Sequence, residues 1–114
     1  MQNPSAHGGR PPFAVTTSRT APQEVTLHLD GELDLATQSL LSDEIRLILS
    51  APETLHVTID AARLEFMDST GLAVLLALSE AIGLRDGTVT VTSPRPVVRR
   101  VITISGVDDR LRLR

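Results

Sequence analysis

A chain of 114 residues has room for one domain with its own core, and its lack of cysteine removes disulfides and thiolate chemistry while fitting a reducing compartment. A formal net charge of -3 and only two aromatic side chains, Phe13 and Phe66, weigh against a general nucleic-acid binder, which needs a basic excess and stacking platforms. No apolar run reaches membrane-spanning length, and residues 1–12 lack the apolar segment of a secretory signal. A cytoplasmic protein follows, with a flexible tail over residues 1–12, one domain over 13–114 and no direct membrane insertion.

Val15 to Ser18 is a weak β-like segment, and Ala21-Pro22-Gln23 reads as a turn. In Glu24 to Asp30, Val25, Leu27 and Leu29 alternate with polar neighbours as a half-buried strand requires, and Gly31 is expected to break the run. Asp34 then caps a helix from about Leu35 to Leu49, with Leu41, Ile45 and Ile48 on one face, and Pro52 ends it. Leu55 to Asp60 alternates again as a second strand.

The polar triplet Asp68-Ser69-Thr70 stands before an apolar run, which is the composition of a helix N-terminus; either Asp68 or Ser69 serves as the cap. The helix runs from about Ser69 to Leu84. Leu72, Leu75, Leu76 and Ile82 turn to one side, while Val74, Ala77, Leu78 and Ala81 form a second apolar stripe. One stripe suffices to pack on a sheet, so the second is covered either by another part of the domain or by a partner.

Asp86-Gly87 turns into the strand Thr88 to Thr92. Pro94 and Pro96 open a third helix, Val97 to about Ser105, which Gly106 stops. Leu111 to Arg114 is a short edge strand. The order after the first strands is helix, strand, helix, strand, helix, strand. It implies an α/β fold whose mixed, mostly parallel sheet of four to five strands carries three or four helices joined by right-handed crossovers. All eleven basic residues are arginine, and six of them follow Pro94 against only Asp108 and Asp109; a solvated face is the preferred reading over a patch for acidic partners.

Catalysis has little footing. Ser69 lacks a Gly-x-Ser-x-Gly elbow, His28 and His56 lie within strands, the histidines lack metal-ligand spacing, and no phosphate-cradling P-loop is present. The expectation is a non-enzyme without metal or cofactor.

Phe66-Met67-Asp68-Ser69-Thr70-Gly71-Leu72 and Gly31-Glu32-Leu33-Asp34 followed by a helix resemble the signature elements of the anti-sigma factor antagonists, which are built on the STAS domain shared with sulfate transporters. Ile59-Asp60 and Gly106-Val107-Asp108 also fall where similar residues occur, and the resemblance runs from about Phe13 to Leu113. It implies a partner-switching module that binds an anti-sigma factor with serine kinase activity and so frees a sigma factor. Phosphorylation at Ser69 then drops the antagonist, and a PP2C-type phosphatase resets the cycle. The resemblance makes Asp68 the acidic neighbour needed for recognition; Thr70, where a second serine is commonest, adds a second possible acceptor. Asp30, Glu32 and Asp34, placed on the loop before the first helix, join Asp68, Thr70, Gly71, Val74 and Leu78 as the expected partner-binding set. The rival reading is an accessory subunit of a membrane lipid or anion transporter, or a module of a larger signalling complex.

Overall fold

The computed structural model describes residues 13–107 and 109–114; the tail over 1–12 and Asp108 lie outside them. In chain order the elements are β1 (Phe13–Ala21), β2 (Glu24–Leu33), α1 (Gln38–Leu49), β3 (His56–Met67), α2 (Ser69–Gly83), β4 (Thr88–Thr92), α3 (Pro96–Ile104) and β5 (Arg112–Leu113). The strands form one sheet in the order β1-β2-β3-β4-β5. β1 and β2 make an antiparallel hairpin, and every later pairing is parallel.

Period-two alternation sorts the sheet into two faces. Val25, Leu27 and Leu29 of β2, Val57 and Ile59 of β3, and Val89 and Val91 of β4 are buried, whereas Thr26, His28, Thr58, Asp60 and Thr90 between them stay partly exposed. Three successive crossovers step in one direction across the sheet, so right-handedness puts all three helices on the same face. There Leu41, Ile45 and Ile48 of α1, Leu72, Leu75, Leu78 and Ile82 of α2, and Val98 and Ile102 of α3 join the strand residues in one core. The guanidinium of Arg85 ties the helix ends together by donating to the carbonyls of Leu49 and Ala51 at 2.6 and 3.0 Å.

Several boundaries differ from the sequence reading, each for a local reason. Gly31 does not end β2; the strand passes through it at φ 101° to Leu33, and the pairing with β3 shifts register between Gly31 and Glu32. Asp30 and Glu32 are therefore strand residues, not loop residues. β3 likewise continues beyond Asp60 to Met67, with irregular pairing that buries Leu64 and Met67 but not by strict alternation. α1 starts at Gln38 and not at Leu35, because Asp34 builds a separate turn: its Oδ1 accepts the N–H groups of Ala36 and Thr37 at 3.0 and 3.1 Å.

Candidate functional site

Two chain segments meet at the C-terminal ends of β2 and β3. Leu33 pairs with Met67, and the Asp68 N–H donates to the Leu33 carbonyl at 3.2 Å, so the β2–α1 turn and the start of α2 are fixed side by side. Asp68 has an extended backbone and is the N-cap of α2, its Oδ1 accepting the Gly71 N–H at 3.0 Å. The Gly71 N–H does most to hold the Asp68 carboxyl below the usual carboxylate range. Partial desolvation opposes it, while the Thr70 hydroxyl and N–H and the Leu35 N–H add to it. The Asp68 carboxylate thus caps the helix start while its N–H ties that start to the end of β2.

This geometry decides between the two candidate caps. Asp68 does the capping and Ser69 is the first helical residue, exposed, with no hydrogen bond to its hydroxyl among the described residues. Thr70, by contrast, is partly buried. Gly71 is required by close approach. A Cβ placed there would stand 2.6 Å from Leu33 Cγ and 2.9 Å from the Leu33 carbonyl oxygen.

The predicted partner-binding residues separate into three groups. Glu32, Asp34, Asp68, Thr70 and Gly71 gather around Ser69, although Asp34 is occupied in holding its turn. Asp30 does not join them: it faces the open side of the sheet, where Arg63 Nη1 lies 3.8 Å from its carboxylate. Val74 and Leu78 divide the second stripe of α2. Val74 is half-buried beside exposed Ala73 and Ala77, but Leu78 is 0% exposed and belongs to the core. It is therefore not part of an exposed stripe. α1 packs against α2 there and covers it, leaving a groove of about 370 Å³ with Leu78 and Ile45 at its floor and Gln38, Ser42, Ala73 and Ala77 at its walls.

Three features escaped the sequence reading. Leu35 is 73% exposed and Phe66 41% exposed, one on each segment flanking Asp68. Thr37 is buried, its hydroxyl donating to the Glu32 carbonyl at 2.8 Å and accepting the Asp34 N–H at 3.0 Å. The signal for Leu35 was its position inside the Asp34 turn and not on a helix; Thr37 gave the signal of a capping residue one turn too late to be preferred over Asp34.

The histidines serve elsewhere. His28 Nδ1 pairs with Asp60 Oδ2 at 3.0 Å and its Nε2 lies 3.4 Å from Ser18 Oγ, on the open face of the sheet. Asp60 is not a strand-end residue but lies within β3, where the Ala62 N–H, ahead of His28, holds its carboxyl below the ordinary value against desolvation. His56 Nδ1 meets Thr88 Oγ1. Neither histidine reaches Ser69. Among the described residues no group of three or more His, Cys, Asp or Glu is placed to hold a metal ion.

A family model described as "Mlab, STAS domain" matches residues 16–114. The anti-sigma-F factor antagonist RsfB of Mycobacterium tuberculosis is 38% identical over 89 residues, covering 76% of this chain and 70% of its own length. The chain belongs to the anti-sigma factor antagonist family of STAS domains. Solved structures place its fold there as well. An anti-sigma factor antagonist from Mycobacterium paratuberculosis superposes on this STAS domain with a TM-score of 0.78 at 26% identity, covering 89% of this chain and 84% of that one. The anti-sigma factor antagonist SpoIIAA in its unphosphorylated form gives 0.77 at 24% identity over 89% and 88% of the two chains. The phosphorylated form of Bacillus SpoIIAA gives 0.72 at 23% identity over 89% and 91%.

Proposed function

We propose that this STAS domain is a phosphorylation-controlled partner switch. Its unmodified form binds an anti-sigma factor with serine kinase activity and releases the sigma factor; transfer of phosphate to Ser69 ends that binding, and a PP2C-type phosphatase restores it. The observation that carries this reading is the division of labour at the start of α2, where Asp68 caps the helix and the Ser69 hydroxyl is left exposed and unbonded. A serine that merely capped the helix would have its oxygen on the N–H of the second or third helical residue. Phosphorylated and unphosphorylated SpoIIAA, which share this fold, support the same reading.

The consequence of phosphorylation follows from the neighbours. A phosphate adds roughly -1.5 to -2 charges at neutral pH. At Ser69 that charge stands next to the ionised Asp68 and between exposed Leu35 and Phe66, so a partner that desolvates those apolar side chains would also have to bury unpaired negative charge. The helix N-terminus tolerates the added charge, so the fold persists while the surface changes. Thr70 is the poorer acceptor because it is partly buried where Ser69 is exposed.

The test is affinity for the co-purified kinase partner, measured by calorimetry for the wild type, Ser69→Ala and Ser69→Asp. The alanine variant retains binding and takes up no phosphate, and the aspartate variant binds at least about tenfold more weakly, the effect of a 1.4 kcal/mol loss. Equal affinity of the aspartate variant and the wild type would refute charge exclusion.

A further inference from the structure

The arginines that follow Pro94 take no part in the site around Ser69. One of them is accounted for, since Arg95 Nε donates to the Ala62 carbonyl at 3.0 Å. The guanidinium groups of Arg99, Arg100, Arg110, Arg112 and Arg114 make no ion pair or hydrogen bond among the described residues, and all five residues are exposed. α3 contains no acidic residue, so neither Arg99 nor Arg100 has a helical partner one turn away. This basic segment sits in a chain whose net charge is -3, so charge is separated along the molecule.

The apolar surface of α3 is divided too. Val98 and Ile102 are buried in the core, but Val97 is 44% exposed and Ile104 75% exposed. Val97, Arg100 and Ile104 stand at i, i+3 and i+7, which places them in one row along the outer face. β5 is the last strand of the sheet and α3 is the crossover that leads to it. The outer face of α3, with Val97, Arg99, Arg100 and Ile104, forms one margin of the molecule, whereas Arg112 is in register with Thr90 on the sheet face turned away from the helices.

We propose that this margin docks on an anionic phospholipid surface, lying on the headgroups without entering the hydrocarbon core. The chemistry selects the occupant. Planar guanidinium groups match phosphate oxygens in pairs, and aliphatic side chains interspersed with them reach the headgroup and acyl boundary. A polyanion without apolar groups would satisfy the charge but leave Val97 and Ile104 in water. A nucleic acid would find no aromatic side chain on this segment on which to stack a base.

The experiment is flotation of the whole chain with phosphatidylcholine vesicles, with and without phosphatidylglycerol. The wild type floats with the anionic vesicles, stays behind with phosphatidylcholine alone and detaches at high salt. Arg99→Gln with Arg100→Gln lowers partitioning about 25-fold, from the usual contribution of a basic residue at an anionic surface. Ile104→Ser lowers it at unchanged charge, and the melting temperatures stay at the wild-type value because all three sites are exposed. Failure of the wild type to float with anionic vesicles at low salt overturns the proposal, and that comparison stands whether or not any variant folds. Wild-type partitioning by the double variant overturns it as well. So does an unaltered Ile104→Ser together with equally tight binding to poly-glutamate, which would make an acidic polymer the occupant.

Discussion

Replacing Gly71 with alanine tests how tightly the start of α2 is held against β2. The added methyl would lie 2.6 Å from Leu33 Cγ, 2.9 Å from the Leu33 carbonyl oxygen and 3.0 Å from Leu33 Cδ2. The side chain can turn away, but the carbonyl oxygen accepts the Asp68 N–H at 3.2 Å and belongs to a strand paired at Met67. Relief must come from moving α2, and overpacking of this kind costs about 1–3 kcal/mol. Alanine returns up to about 1 kcal/mol through its better helix propensity, less in a first turn than in mid-helix. The net loss is about 1–2 kcal/mol, which lowers the melting temperature of a domain of this size by roughly 5–12 °C. Gly83→Ala is the control: a Cβ there meets nothing within 4 Å and leaves φ in the ordinary range, so stability is unchanged or rises by a few tenths of a kcal/mol. The assay is thermal denaturation followed by circular dichroism, both variants beside the wild type. A Gly71→Ala variant as stable as Gly83→Ala would refute the close-approach argument.

Three further outcomes are expected. The folded-state pKa of Asp68 lies below its unfolded value, so its contribution is present above the ordinary carboxylate value of about 3.9 and is lost as pH falls through the folded one. Asp68→Asn should therefore be less stable than the wild type at pH 7, by about 1 kcal/mol, and the gap should narrow in acid; a constant gap in denaturant titrations from neutral pH to pH 3 would contradict this. Leu78→Ala should cost about 2–5 kcal/mol in denaturant unfolding, since the residue is core and not surface; a fully stable variant with altered partner affinity would return Leu78 to the interface. Leu35→Ser and Phe66→Ser should each leave the melting temperature within about 2 °C of the wild type while weakening partner binding by more than 1 kcal/mol, as exposed apolar anchors do; unchanged affinity for both in a calorimetric titration would place the interface elsewhere.

Most of the fold could be read from alternation and punctuation. Val25, Leu27 and Leu29, then Val57 and Ile59, then Val89 and Val91 carry a clean period of two, and each proved to be a half-buried strand. Where the pairing slips, the pattern fails with it. Leu64 and Met67 are buried three residues apart because β3 is irregular there, and three-residue spacing looks like anything but a strand. Gly31 was read as a stop because glycine usually punctuates, yet at φ 101° it lets β2 change register and continue.

The site was legible where chemistry is local. A capping carboxylate, a serine after it and a glycine two residues further on are all visible as neighbours in the chain. Their division of labour was not, because Asp68 and Ser69 are both good caps and only the extended backbone of Asp68 assigns the task. The second stripe of α2 was ambiguous for a different reason. A helix that is apolar nearly all round does not reveal which side α1 will cover, and the answer placed Leu78 inside while leaving Ala73 and Ala77 outside. Leu35 was hidden by the turn that Asp34 builds, which delays the helix by three residues and turns an apparent first-turn leucine into an exposed one.

The central claim is that Ser69 is a switch and not a cap. Its most direct measurement is phosphate mapping on the chain recovered from its native cells, in the fraction bound to its partner and in the fraction free of it. The account predicts an anti-sigma kinase in the bound fraction, with Ser69 unmodified there and phosphorylated in the free fraction. Recovery with components of a membrane transporter, and Ser69 unmodified in both fractions, would contradict it.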